Sequence, residues 1–93
     1  MGPMIEIVTL NESSIVCRPL GDLDLRSSIS LRHVVGDILR PGLDLVVDLS
    51  RVAAIDAVGL SALVGTARRV RALEGTIAIR NVCPRIHLSL IHI

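Results

Sequence analysis

Residues 46–63 read VVDLSRVAAIDAVGLSAL and divide into three parts with different hydrophobic patterns. The run from Leu43 to Leu49 is almost continuously apolar, which predicts a strand of a parallel sheet that is buried on both faces. A short loop ends at Asp56, whose carboxylate can accept hydrogen bonds from the free N–H groups of a first helical turn. Gly59 in that turn indicates close packing between helix and sheet. Apolar residues then recur at the spacing of a helix: Leu60, Leu63, Val64, Ala67 and Val70.

Further elements lie on both sides of this unit. Short apolar runs predict strands over 4–10, 14–20 and 76–82, the first two joined as a hairpin through the polar turn 11–13. A first helix is expected from an N-cap at Ser27 or Ser28 up to Pro41, and Gly75 is expected to end the second. The predicted fold is α/β, with a mixed four-stranded sheet in the order β-β-α-β-α-β and right-handed crossovers.

Composition excludes several classes of protein. The 93 residues suffice for one domain, and the chain contains no Phe, Tyr or Trp on which a base or sugar could stack. A net charge of +1 provides no field for binding nucleic acid, and no apolar run approaches the length of a membrane span. The first residues lack the pattern of a signal peptide, so a cytoplasmic location is expected. Cys17 and Cys83 are interpreted as reduced thiols.

Two motifs at the proper separation resemble the signature of the STAS domain, the fold shared by anti-sigma factor antagonists and the cytoplasmic tails of sulphate transporters. Asp48-Leu49-Ser50 followed by Asp56 to Leu60 is similar to the family's strand end and helix start, and Gly21 to Asp24 is similar to its Gly-Glu-Leu-Asp turn. Gly75 and Asn81-Val82 match further landmarks. The resemblance covers residues 4–87 and implies a domain that docks onto an anti-sigma factor or a related regulatory protein.

Ala57 departs from this family pattern. In the antagonists that the sequence resembles, the residue after the motif Asp is a Ser that a partner kinase phosphorylates, and the added charge separates antagonist from target. Neither Ala57 nor Val58 has a hydroxyl group, so that switch is absent from its usual place. The nearest hydroxyl is that of Ser61, for which an ordinary helical role is favoured.

Three carboxylates are expected at one rim of the sheet, where the loops carrying Asp22, Asp24 and Asp56 meet. A metal site is disfavoured, because no His or Cys lies nearby and the spacing matches no calcium loop. An acidic rim recognised by a basic partner surface is the preferred interpretation. For Asp56 alone, a plain helix cap remains equally acceptable. The predicted partner-binding residues are Asp22, Asp24, Asp56, Ala57, Val58, Gly59 and Ser61.

No nucleotide-binding or nucleophile motif is present, so neither enzymatic activity nor a cofactor is predicted. The expected function is that of an anti-sigma factor antagonist which binds a kinase-like anti-sigma protein and releases a sigma factor. The alternative is the STAS subunit of a bacterial lipid-transport ABC complex that binds its ATPase. A small phosphotransfer enzyme is a third class, which the missing phosphate loop disfavours.

The last six residues, Leu88 to Ile93, are what one reading frame of a common transposase sequencing adapter encodes. They are interpreted as a tail outside the STAS domain, which is placed at residues 1–87. Pro84 to His87 is expected to be the first turn of a helix that is truncated here. A genuine apolar tail is the alternative.

Overall fold

The computed structural model describes residues 4–84 and contains a four-stranded sheet and two helices. The elements are β1 (Ile5–Thr9), β2 (Ser14–Pro19), α1 (Leu25–Ile38), β3 (Asp44–Asp48), α2 (Ala57–Ala72) and β4 (Thr76–Arg80). The strands lie in the order β1-β2-β3-β4, with β1 antiparallel to β2 and the other pairs parallel. The predicted fold class and element order are therefore confirmed. The tail at 88–93 and the expected turn after Pro84 lie outside the described residues.

Both helices cover the same face of the sheet. The two crossovers, β2 to β3 and β3 to β4, step in the same direction across the sheet, and right-handed crossovers of that kind place their helices on one side. The side chains beneath the helices are buried, among them Ile15, Cys17, Leu45 and Val47. With no aromatic residue in the chain, this core is built from Leu, Val, Ile and Ala together with Cys17.

The prediction that β3 is buried on both faces is wrong. Leu45 and Val47 are fully buried under the helices, whereas on the other side Asp44 is exposed, Val46 is only half-buried, and Asp48 is the one β3 residue on that side that is buried. The apolar sequence of β3 did not indicate that one side of the strand is partly exposed. Val46 is apolar, but it belongs to a partly exposed row of apolar side chains and not to the core. Within residues 4–84 the molecule has two layers, a sheet and a helical layer.

Helix α1 begins earlier than predicted. Its N-cap is Asp24, not Ser27 or Ser28. The Ser27 backbone N–H donates to Asp24 Oδ1 at 3.1 Å, and the Asp24 N–H donates to Ser27 Oγ at 2.8 Å. This reciprocal pair is a capping box, in which the serine occupies the third helical position and not the cap.

Helix α2 ends at Ala72, and the left-handed residue that follows is Glu74, with φ of 60°, not the glycine. Gly75 is required for space instead. A Cβ at this position would overlap the Leu43 carbonyl oxygen and lie 2.8 Å from Val70 Cγ1. The glycine therefore permits the chain to enter β4 close beside the strand that precedes it in the sheet.

The predicted apolar stripe of α2 divides between two environments. Leu63 and Val70 are buried in the core. Leu60, Val64 and Ala67 line an apolar groove of about 300 Å³ with the β4 residues Ile77 and Ile79.

Candidate functional site

The carboxyl ends of the parallel strands carry two loops that are hydrogen-bonded to each other. Leu23 forms a parallel bridge with Ile55. The Leu23 N–H donates to the Ala54 carbonyl oxygen at 3.0 Å, and the Asp56 N–H donates to the Leu23 carbonyl oxygen at 3.1 Å. We call the surface formed by residues 20–25 and 53–59 the rim. The structure thus brings the two predicted loops together through backbone contacts.

Asp22 fastens the second loop to the first. Its Oδ1 accepts hydrogen bonds from the backbone N–H groups of Ala53 at 3.2 Å and Ala54 at 3.0 Å. These two N–H groups lie outside any helix or strand, so the carboxylate replaces the partners that secondary structure would otherwise provide. Asp22 positions the loop before α2.

Asp56 caps helix α2. Its Oδ1 accepts a hydrogen bond from the Gly59 N–H at 2.8 Å, next to the positive end of the helix dipole. Gly59 is buried against Leu23, and a Cβ at this position would overlap the Leu23 carbonyl oxygen and lie 2.8 Å from Leu23 Cβ. The close packing predicted for Gly59 is thus present, but it is against the neighbouring loop and not against a strand.

All three carboxylates of the rim hold backbone N–H groups. The hydrogen bond from the Ser27 backbone, together with the Ser27 hydroxyl, lowers the pKa of Asp24 below its usual value against the opposing effect of desolvation. Each of these aspartates remains solvent-exposed. Within residues 4–84, no cluster of His, Cys, Asp or Glu side chains could hold a metal ion.

Exposed apolar side chains surround these carboxylates. Leu25 is 62% exposed and Val58 is 39% exposed at the starts of the two helices, and Ile29 follows one turn into α1. Ala57 and Ser61 are also exposed, one turn apart on α2. Leu25 and Ile29 were not among the predicted site residues, although the sequence contains a signal for them. They are spaced i, i+4 and fall off the buried stripe of α1, so they form a second apolar strip on the same helix.

Asp48 anchors the strand ends beneath the rim and was not predicted as a site residue. This buried carboxylate accepts hydrogen bonds from Asn81 Nδ2 at 3.0 Å, the Ser50 N–H at 2.9 Å and Arg18 Nε at 2.9 Å. The Asn81 amide, followed by the Ser50 backbone, holds the pKa of Asp48 well below its usual range. Arg18 also pairs with Glu6, so one network joins all four strands or their ends.

Both cysteines of the chain are free thiols. Burial raises the pKa of the Cys17 thiol to about 11, and neither Cys17 nor Cys83 is in a disulfide.

Of the helices described, neither has the length and apolar character needed to cross a membrane.

Comparison with known proteins connects this geometry to a family. The family described as "Mlab, STAS domain" matches residues 8–92. The chain belongs to the STAS family. It is also similar to the Anti-sigma-B factor antagonist of Bacillus subtilis (strain 168), with 30% identity over 79 residues, which are 85% of this chain and 72% of that protein.

Solved structures share the STAS fold at low sequence identity. A putative anti-sigma factor antagonist from Thermotoga maritima superposes with a TM-score of 0.77 at 17% identity, covering 95% of this chain and 78% of that one. The unphosphorylated anti-sigma factor antagonist SpoIIAA superposes with a TM-score of 0.72 at 17% identity, covering 92% of this chain and 80% of the other. At such identities the likeness establishes the fold. Together with the Bacillus subtilis relative, these comparisons describe an anti-sigma factor antagonist-like STAS domain.

Proposed function

We propose that this STAS domain is a non-catalytic anti-sigma factor antagonist, which binds a kinase-like anti-sigma protein through the rim and thereby releases a sigma factor. The observation that supports this most strongly is the construction of the rim. Two loops are fixed to each other by backbone hydrogen bonds, and both helix starts are capped there. A pre-organised surface loses little conformational entropy on binding.

Within this proposal the rim residues have two roles. Asp22, Asp24, Asp56 and Gly59 position the loops. The contacts to the partner come from Ala57 and Val58, with Ser61 one turn further along α2. The partner surface would then meet an apolar patch bordered by carboxylates, a combination that is common in interfaces whose centre is less charged than their edge.

Ala57 makes the proposed antagonist insensitive to the phosphorylation that the family resemblance implies. It is the first residue of α2 and is exposed, so a phosphate group there would lie on the contact surface. Alanine has no hydroxyl group to receive it. We expect incubation with a cognate kinase and ATP to leave residues 56–59 unmodified, as measured by mass spectrometry. Phosphate on Ser61 would move the switch by one helical turn.

The binding test is the substitution Ala57→Asp, with Ala57→Ser as the matched control. The aspartate adds a negative charge beside Asp56 on the proposed contact surface, and like charges in an interface cost several kcal/mol. We expect Ala57→Asp to weaken binding of the anti-sigma protein at least tenfold while its circular dichroism and melting temperature stay unchanged. Ala57→Ser should bind as wild type does and should accept phosphate from the kinase. Wild-type affinity in a folded Ala57→Asp variant would show that the contact surface lies elsewhere.

A second candidate is the STAS subunit of a lipid-transport ABC complex, and Ala57 is the observation in its favour, since binding an ATPase subunit requires no phosphoacceptor. The matching family is also described by the name Mlab and not by an anti-sigma activity. Titrating the domain against an anti-sigma kinase and against an ABC ATPase from the same genome separates the two candidates. Only the true partner should bind with an affinity that Ala57→Asp reduces.

A further inference from the structure

The face of the sheet turned away from the helices, which we call the open face, carries its side chains in rows. Directly opposed residues on neighbouring strands point to the same side of a sheet, so each row follows the strand register. One row, the charged row, consists of Glu6, Arg18, Asp48 and Arg80. The adjacent row, the apolar row, consists of Val8, Val16, Val46 and Ala78. Both rows cross the whole sheet from β1 to β4.

The charges of the charged row alternate in sign from one edge of the sheet to the other. Glu6, Arg18 and Asp48 are joined by two ion pairs within the chain. The Glu6 side chain is nevertheless 45% exposed. At the other end of the row Arg80 is exposed and makes no ion pair within residues 4–84. The row therefore presents an accessible anion on β1 and an accessible cation on β4.

We propose that the open face binds a second copy of this chain, face to face, about a two-fold axis that runs parallel to the strands between β2 and β3. Such a rotation places β1 of one copy over β4 of the other and keeps each row at its own height along the strands. Glu6 then faces Arg80 of the second copy, and the reverse pair forms on the other side of the axis. The two apolar rows meet in the middle, with Val16 opposite Val46.

The other two-fold axis that would stack the open faces is perpendicular to the strands, and it gives poor complementarity. It would bring the charged row over the row at the opposite end of the strands, which contains Ser14, Asp44 and Thr76. Asp48 would then lie over Asp44 of the second copy, carboxylate against carboxylate. The pattern of charges therefore favours the axis parallel to the strands. About that axis the open face of a second copy is complementary in charge to the open face of the first.

The open face is small compared with the interfaces of stable dimers. Strand spacing and rise give a face of roughly 19 Å by 16 Å, or about 300 Å² per copy. Stable interfaces bury about 800 Å² per partner, so the dimer is weak and its population depends on concentration. The rim is not part of this contact. Because the axis runs along the strands, the rims of both copies point in the same direction.

Charge reversal at the two ends of the row tests the pairing. Glu6→Arg would place arginine against Arg80 of the second copy, and Arg80→Glu would place glutamate against Glu6, so each variant alone should dimerise at least tenfold more weakly than wild type. The double variant Glu6→Arg/Arg80→Glu restores both pairs between the copies but keeps the new like-charge contacts with Arg18 and Asp48 within each chain, so dimerisation that it regains comes from the pairs between copies. An equimolar mixture of the two single variants should also form dimers, because the heterodimer has complementary charges at both ends. Arg68→Glu on the exposed surface of α2 is the matched control and should leave dimerisation unchanged.

The measurement is sedimentation equilibrium over a protein range of about 10 µM to 1 mM, at low and high salt, since so small an interface is expected to associate only weakly. Glu6 and Arg80 are three strand spacings apart, or about 14 Å, with Arg18 and Asp48 between them, and rescue is judged at physiological or higher salt, where the screening length is about 8 Å or less. Rescue in the double variant and in the mixture therefore cannot come from a pair within one chain. A wild-type chain that stays monomeric throughout the range, or folded single variants whose weakening is not rescued, would overturn the proposal. Both outcomes leave binding of the anti-sigma protein at the rim unaffected.

Discussion

Gly59 and Gly65 lie on the same helix, yet a methyl group would meet different surroundings at the two positions. At Gly59 it would overlap the backbone of Leu23, which the bridge to Ile55 holds in place. At Gly65 nothing lies within 4 Å of the added atom. Replacing each glycine by alanine therefore distinguishes the cost of disturbing the packing at the rim from the gain in helix propensity.

We expect Gly59→Ala to destabilise the domain by about 1–3 kcal/mol, the usual cost of overpacking, because the obstructing atoms belong to backbone and not to a flexible side chain. Gly65→Ala should instead stabilise it by up to about 1 kcal/mol, since alanine is the better helix former. Urea unfolding followed by far-UV circular dichroism measures both, because the chain has no Trp or Tyr for fluorescence. Equal effects at the two positions would contradict the close contact between α2 and the loop at Leu23.

The positions of single residues were predicted from sequence only where a local rule decides them. Asp56 precedes an apolar helical pattern, and its capping role follows from that position alone. The cap of α1 was misplaced because Asp24 and Ser27 both suit an N-cap, and only the reciprocal hydrogen bonds show which residue has that role. The clamp that Asp22 forms on Ala53 and Ala54 joins residues that are distant in sequence, so no local pattern could predict it.

At the scale of elements, the end of β3 is the point where the sheet is tied together. Asp48 connects β2, through Arg18, with the segment after β4, through Asn81. Asn81 has a left-handed φ of 59°, a conformation that asparagine tolerates better than most residues. The Asp-Leu-Ser segment and the later Asn are therefore joined in this chain, since the Asp48 carboxylate accepts the hydrogen bonds and the Asn81 amide donates one of them across the strand ends.

The network at Asp48 predicts how the stability of the domain depends on pH. A carboxyl group with a lowered folded pKa contributes stability that is complete above its unfolded pKa of about 3.9 and is lost as the pH falls through the folded value. The free energy of unfolding should therefore decline steadily as the pH is lowered from about 5. Asp48→Asn should cost about 2 kcal/mol at neutral pH, because hydrogen bonds to a charged acceptor are lost, and should make the decline in acid shallower.

Asp37→Asn is the matched control for this experiment, since Asp37 is an exposed carboxylate on α1. It should leave both the neutral stability and the slope in acid close to wild type. Denaturant titrations at a series of pH values give the free energies directly. An Asp48→Asn variant with the full acid sensitivity of the wild type would assign that sensitivity to other carboxylates.

The molecule as a whole has extents of 33 × 31 × 19 Å, which are the dimensions of one sheet and one layer of helices. The sequence predicted the elements and their order well, because strand and helix patterns are local and right-handed crossovers restrict the topology. It predicted the burial of β3 incorrectly, because an apolar run does not record how many layers cover it. The direction of both crossovers across the sheet decides that, and the direction follows from pairings between distant segments.

Two adjacent residues of β3 test this two-layer arrangement. Val47 lies fully buried beneath the helices, whereas Val46 lies half-buried on the open face. Threonine has nearly the shape of valine and suits a strand equally well, so Val→Thr changes mainly whether a hydroxyl group is buried. We expect Val47→Thr to cost about 1–3 kcal/mol, the penalty for placing a hydroxyl group in a core without a good partner, and Val46→Thr to cost less than about 0.5 kcal/mol.

The unfolding of both variants must be measured at protein concentrations of a few micromolar, below the range in which so small an interface is expected to form dimers, so that the open face is free in every sample. The difference between the two costs then reports how differently the two faces of a single strand are covered. Equal and large losses at both positions would mean that the strand is enclosed on both sides, which is the arrangement that the apolar run 43–49 suggested. Equal and small losses would mean that the helices do not seal the core above Val47.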